Sequence, residues 1–378
     1  MKKIKYYLMA LLASATLFSC KDDDHSLEEI LNMKGNTDAV TITVDIDFND
    51  GSATVTGDRN NVVTTNGAHV TVDLNRDTRN TYVLTLSGTT ENGSLKIYGQ
   101  KELTLRLNNA NITNPNGAAI NNQCHKALYV VCEPGTSNVL TDGETYAETS
   151  SDEDEKGTLF SEGQMYFSGT GTLTVNGKGK NAIACDDYIH IAELILTTKT
   201  AATGSHGIKV KEELYIEGGT INIDVMADGA KGIKCDSTVT ITGGNTTITT
   251  SGGPVTETID GVTDTTSCAA IKCDYDFTMT AGTLTMTSTG EGGKGLNCDK
   301  DIYFKGGTLT ATTKGKKDDA SPKAVNADGI IYLSGGSFTA QCNSGRATDC
   351  ASDDRYPIIQ GTATKKAWEK KEVIVIFE

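Results

Sequence analysis

Gly232-Ile233-Lys234-Cys235-Asp236, followed by the alternating run Thr238 to Thr242, the pair Gly243-Gly244 and a second alternating run ending near Thr250, is one copy of a phrase that returns along the chain. The other copies are Ala182-Ile183-Ala184-Cys185-Asp186, Gly207-Ile208-Lys209-Val210, Ala270-Ile271-Lys272-Cys273-Asp274, Gly295-Leu296-Asn297-Cys298-Asp299 and Ala324-Val325-Asn326-Ala327-Asp328. From Ile183 to Val325 the isoleucine-type positions stand 25, 25, 38, 25 and 29 residues apart, so the unit is 25 residues with two insertions. Within it apolar residues fall on every second position, the period of strands. In the copy at 207–231 the inward set is Ile208, Val210, Leu214, Ile216, Ile221, Ile223 and Val225.

That pattern makes three short strands per repeat, with Gly-Gly at one bend where a residue lacking Cβ can take positive φ. Three strands per turn, stacked in parallel, is an all-β fold, the parallel β-helix. A leucine-rich repeat would need a helical leg and a leucine and asparagine pattern, and neither is present. Each rung must bury its inner edge on its neighbours, so residues 35–340 are expected to form one solenoid. Its first part, 35–95, alternates without the clear phrase, as an N-terminal cap would. Residues 341–378, with the single tryptophan Trp368 and the run Val373 to Phe377, read as a C-terminal cap.

Residues 1–20 read as a lipoprotein signal peptide. Lys2, Lys3 and Lys5 precede an apolar run from Tyr6 to Phe18, and Leu17-Phe18-Ser19-Cys20 places a small residue before a cysteine that is lipidated after cleavage. Residues 21–34 are an acidic linker, and Lys21-Asp22-Asp23-Asp24 resembles the export signal that carries lipoproteins to the outer face of the outer membrane. The expected location is therefore the cell surface, with membrane contact only through the N-terminal lipid. The formal net charge is −15, and removing the signal leaves 31 basic against 49 acidic residues, a net −18. Such a chain is a poor partner for nucleic acid or anionic lipid and suits a neutral ligand, or an acidic one bridged by cations. It is expected to be a monomer.

Long insertions at 141–157, 254–267 and 314–323 fall between the third strand of one rung and the first of the next, so they gather on one edge, where repeat proteins tend to bind. Acidic residues there, Asp228, Glu291, Asp260, Asp264, Asp318 and Asp319, are the candidate calcium ligands, because hard cations take several oxygens from neighbouring loops. The aspartates after each inward cysteine or alanine (Asp186, Asp236, Asp274, Asp299, Asp328) stack in a column that either binds cations or closes turns on its own backbone, the second being favoured. Of the ten cysteines, Cys185, Cys235, Cys273 and Cys298 share an inward column and are expected to be free thiols packed as small hydrophobes. Cys124 with Cys132 and Cys342 with Cys350 are open as loop-closing pairs. No CxxC spacing or histidine pattern supports zinc.

The second strand of each rung carries an outward column: Tyr129, Tyr166, His190, Tyr215, Thr240, Thr278, Tyr303 and Tyr332. A row of tyrosines is a platform for sugar rings or a cross-strand stack that stabilises the sheet. Lys209, Lys234 and Lys272 form a basic column on the first strand that reads uronate carboxylates or offsets the adjacent aspartates. With the tyrosines and His190 they are the candidate carbohydrate-binding residues.

These phrases, together with Tyr82-Val83-Leu84-Thr85-Leu86-Ser87-Gly88, Asn109-Ala110-Asn111-Ile112-Thr113-Asn114 and Asn138-Val139-Leu140-Thr141-Asp142-Gly143, resemble the family of β-helical carbohydrate-binding domain proteins first described in cellulolytic bacteria. The similarity runs from about residue 80 to 340. It implies a right-handed parallel β-helix shaped like pectate lyases, bound calcium, and binding of cellulose or an acidic plant polysaccharide. Where this chain has the column cysteines, family members more often carry alanine. The expectation is a surface-anchored, non-catalytic polysaccharide-binding protein. A calcium-dependent pectate-type lyase, with Lys231, Lys294 or Lys323 as base, and a protein-binding adhesin are the alternatives. No serine, cysteine or paired-carboxylate hydrolase signature stands out.

Overall fold

Alternation of apolar and polar residues in short runs makes strands whose inner face alone is apolar, and such strands persist only when stacked. The computed structural model describes residues 39–148, 153–259, 262–317 and 320–377, and the unit Thr41–Glu378 is described by itself. The first strands form one continuous parallel ladder from Ala68–Asp73 and Gly93–Tyr98 through Lys231–Cys235, Ala269–Cys273 and Lys294–Cys298 to Arg346–Asp349. The solenoid has about 11 turns. The expectation of a parallel β-helix is met. Cys20 and the rest of the segments 1–20 and 21–34 lie outside the described residues.

The second strands stack in register, with Leu128, Met165, Ile189, Leu214, Val239, Phe277, Ile302 and Ile331 in one inward column, all buried. The third strands do the same, and their outward column runs Thr174, Thr197, Asn222, Thr247, Thr285, Thr310 and Thr339. The bend between second and third strands uses the glycine at its second position, preceded by another glycine except in Ala281-Gly282: Gly219, Gly244, Gly282, Gly307 and Gly336 have φ between +73° and +84°.

Near the N-terminus the same bend is built differently, which is why the phrase is blurred there. Thr81–Thr90 and Leu103–Thr113 are single long strands that run through both the second and third positions. They turn at a register shift between Leu86 and Gly88, with Gly88 at φ +82° and Asn109 at φ +57°. Rungs are thus already present within 35–95. Thr41–Asn49 adds parallel to Thr81–Thr90 and is itself flanked by the antiparallel strand Ser52–Thr56.

At the other end the ladders continue past residue 340, the first to Arg346–Asp349 and the second to Ile358–Ile359. An antiparallel hairpin, Ala363–Glu369 with Glu372–Phe377, then lies antiparallel on Ser337–Cys342. Antiparallel closure ends the stack and covers an edge that would otherwise template another chain. Trp368 stacks on Tyr356 at 5.3 Å between ring centroids.

All nine described cysteines are free and buried. The column Cys185, Val210, Cys235, Cys273, Cys298, Ala327 is in register. These thiols do more than fill space. Cys235 Sγ lies 3.0 Å from Glu212 O and 3.2 Å from Thr238 O, and Cys298 Sγ lies 2.7 Å from Tyr275 O. The single S–H of Cys235 and that of Cys298 therefore each have a turn carbonyl to donate to, a bond that alanine could not make.

Candidate functional site

The three insertions all leave the solenoid between a third and a first strand. The acidic excursion returns at Glu153 and Glu155, which pair with Lys96 on the first-strand face at 2.7 and 3.5 Å. The second insertion folds as an antiparallel hairpin, Val255–Ile259 with Val262–Thr266, tied by hydroxyl pairs Thr256–Thr265 and Thr258–Thr263 at 2.9 Å.

The outward column of the first strands is a charge zipper. Lys234 Nζ sits 2.7 Å from Asp236 and 2.6 Å from Asp274, and Lys272 Nζ bonds Asp274 at 3.0 Å and also Asp299. Each lysine thus bridges the aspartates of its own and the next rung, relieving the repulsion that stacked carboxylates would suffer. Burial works against ionisation of Asp274, but bonds from Lys234 and Lys272 outweigh it and hold its carboxyl below the usual range. Lys209 is half-buried in the same column, in register with Lys234.

Beside that column, at the start of the first strands, stand His206, Lys231, Lys294 and Lys323. His206 Nδ1 accepts from Lys231 N at 3.0 Å. Burial, with Lys231 next, pulls the His206 ring down to about 3. Lys231 is 8% exposed and donates its Nζ to Gly229 O. Burial brings its ammonium down to about 8, against an opposing pull from the Cys268 thiol and with help from Lys294. Lys294 Nζ reaches Ser267 Oγ at 3.3 Å, and Lys323 is paired to Asp349 at 2.6 Å.

The candidate metal ligands are spread along the insertion edge. Asp228 Oδ1 accepts from Gly253 N at 2.6 Å, Asp264 is exposed on the hairpin and Glu291 is half-buried. Asp260, Asp318 and Asp319 lie outside the described residues. The Gly252-Gly253 loop separates Asp228 from Glu291, so two rungs, about 10 Å, lie between them. Among the described residues, the group whose oxygens do come within 4.8 Å of one another is Asp154, Glu162 and Asp186. Lys156 already occupies it, bonding Asp154 at 2.6 Å and Asp186 as well.

The tyrosine column is in register across successive rungs, from Tyr129 through Tyr166, His190, Tyr215, Thr240, Thr278 and Tyr303 to Tyr332. Its rings stand on edge. Tyr129 stacks on Tyr166 at 5.0 Å and 19°, Tyr303 on Tyr332 at 5.4 Å and 8°, and His190 meets Tyr166 and Tyr215 edge-on at 5.8 and 6.2 Å. In the two stacked pairs the ring faces are turned toward the next rung, an arrangement in which each pair stabilises the sheet by about 0.2–1 kcal/mol. The hydroxyls are anchored: Tyr303 donates to Asp301 Oδ2 at 2.9 Å and Tyr215 to Glu213. Thr240 and Thr278 divide the column into two blocks, leaving a step beside Tyr303, whose ring also lies 5.4 Å from the Lys305 ammonium. Reading by outward columns missed Tyr275, because it sits in a turn between columns; it is 56% exposed.

A search of curated proteins finds no match to this chain. Among solved structures the chain is similar to a polysaccharide lyase-like protein from C. thermocellum, determined as a gadolinium derivative. The two are 21% identical, with a TM-score of 0.47, and the match covers 73% of this chain and 96% of that one. The model of one family, described as carbohydrate-binding domain-containing protein, matches residues 66–231 and 223–320, more than half of the sequence. By that match the chain belongs to the carbohydrate-binding domain-containing protein family.

Proposed function

We propose that this chain is a non-catalytic polysaccharide-binding lipoprotein, held at the outer-membrane surface by a lipid on Cys20 and specific for plant-type glycans such as cellulose or pectate, with calcium assisting. The observation that carries the reading is the registered outward column of Tyr129, Tyr166, His190, Tyr215, Tyr303 and Tyr332. A straight track that repeats once per rung, about every 4.8 Å, suits a linear ligand that also repeats along its length. Threonines and ring edges on that flank supply hydroxyl and C–H contacts, with Glu213, Asp301 and Lys305 held against the tyrosines. The lipid anchor is supported by the signal-like sequence of residues 1–20, and calcium by the acidic insertion edge together with the resemblance.

A lyase is the second reading, favoured by one observation: the Lys231 ammonium is brought down to about 8, where a general base operates near neutral pH. Against it, Lys231 is buried, with its Nζ donating to Gly229 O, so a polymer chain has little access to that amine.

Gel retardation of the purified, unlipidated protein in a panel of polysaccharides, including pectate and a soluble cellulose derivative, with calcium and with chelator, tests the binding reading. Retardation by a plant-type polymer is expected, stronger with calcium. Migration unchanged across the whole panel would contradict it and favour a protein-binding adhesin.

A further inference from the structure

The turn joining first to second strand carries, in three successive rungs, Asp274-Tyr275-Asp276, Asp299-Lys300-Asp301 and Asp328-Gly329-Ile330. Side chains of these turns, from Tyr275 to Gly329, line an open cleft of about 570 Å³. The middle position falls from tyrosine to lysine to glycine, so the cleft opens beside a large ring and ends on bare backbone. Gly329 is required there: a Cβ would lie 2.2 Å from Asp301 Oδ1.

The cleft is built before any ligand arrives. Asp276 Oδ1 accepts from Asp301 N at 3.0 Å, and Asp301 Oδ1 accepts from Ile330 N at 2.7 Å while its Oδ2 takes the Tyr303 hydroxyl at 2.9 Å. Each carboxylate is thus tied to the next rung, yet an ionised carboxylate has about four acceptor positions and keeps some of them for a ligand. Asp328 is exposed at the rim. Tyr275, at 56% exposure, is the one aromatic among the exposed large apolar side chains of the described residues. Unlike the rings of the tyrosine column, it takes part in no ring stack among the described residues.

Two features select the ligand class. The carboxylates do not gather around one point, since the described group whose oxygens lie within 4.8 Å of one another is elsewhere, at Asp154, Glu162 and Asp186. Each can accept from a separate hydroxyl donor. The lining also holds four aspartates and one lysine, Lys300, with Asp299 further paired to Lys272 of the neighbouring rung, and the remaining negative charge repels carboxylate and sulfate groups.

We infer that this cleft is a glycan subsite for an uncharged or basic sugar unit, with the sugar's C–H face on Tyr275 and its hydroxyls donating to Asp299, Asp301 and Asp328, so that of the two polymers proposed above this subsite takes cellulose and leaves pectate to other surfaces. The inference rests on the polysaccharide-binding reading and adds where one sugar sits and what charge it carries. A glycan in the cleft continues past Asp301 toward Tyr303, at the step in the tyrosine column.

The test is calorimetric titration of the mature, unlipidated chain with cellohexaose, a glucosamine hexamer and a galacturonate hexamer, repeated with Tyr275→Ala and Asp328→Asn. Both substitutions are at exposed positions, and an unchanged unfolding midpoint verifies that the variants fold. Binding of cellohexaose or the glucosamine hexamer, weakened about tenfold or more by Tyr275→Ala and several-fold by Asp328→Asn, is the expected result. Binding of these sugars undiminished in both variants, or binding confined to the galacturonate hexamer, would overturn the subsite while leaving polysaccharide binding intact. Failure of the wild type to bind any of the three, together with no retardation in the polymer panel, would remove the underlying reading and the subsite with it.

Discussion

At the scale of single residues, position in the repeat decides chemistry. Cys235 and Lys234 are neighbours, yet one thiol points inward to turn carbonyls and one ammonium outward to two aspartates. Their opposite directions were legible from alternation alone. The aspartates that Lys234 offsets were legible as the neighbouring column; the thiol's partner was not, because it bonds across rungs to Glu212 O, which is distant in sequence. His206 is a sharper case, since nothing in its local sequence signals that burial and three lysines surround it. Its ring titrates near 6.5 in an unfolded chain and near 3 in the fold. The unfolded state therefore binds the extra proton between those values, and stability rises with pH across that window. Lowering the pH from about 6.5 toward 3 should lower the unfolding midpoint, and His206→Gln should flatten that part of the profile. An identical slope in the variant would show that His206 does not contribute.

At the scale of elements, the Gly-Gly bend is what lets the second and third strands share a rung. Its legibility came from recurrence: Gly243-Gly244, Gly306-Gly307 and Gly335-Gly336 stand at equivalent positions. The bulged bend at Gly88 escaped because it occurs inside a continuous strand, with no paired glycine to mark it. Gly282 tests the requirement most cleanly, since Ala281 already fills the first position. At φ +84°, with Gly243 O 2.6 Å from where a Cβ would lie, Gly282→Ala should cost at least about 1–2 kcal/mol from the left-handed backbone alone, read as a lower urea midpoint. A midpoint equal to the wild type would mean the bend tolerates a side chain. The tyrosine column belongs to this scale too. Its line was visible in the sequence, but the ring orientation was not, because stacking is settled by rung spacing and by anchors such as Asp301.

At the scale of the molecule, the solenoid is a continuous parallel ladder with charge zipped on one flank, aromatic rings on another and insertions on one edge. Such a body can hold a linear polymer over many rungs by weak repeated contacts, and family membership supplies polysaccharide as the ligand class. The fold alone does not separate a binder from a lyase, since both are built on such scaffolds. The separation lies in whether an amine takes a proton from the polymer; Lys231 is buried, and Lys231, Lys294 and Lys323 each donate to a protein oxygen. The most direct measurement is therefore to incubate the mature protein with each polymer that retards it, with calcium, and to follow polymer length and the ultraviolet absorbance of unsaturated ends. Retained polymer at full length, with no rise in absorbance, is the predicted result. Unsaturated ends accumulating in proportion to protein would contradict it and make this chain a lyase.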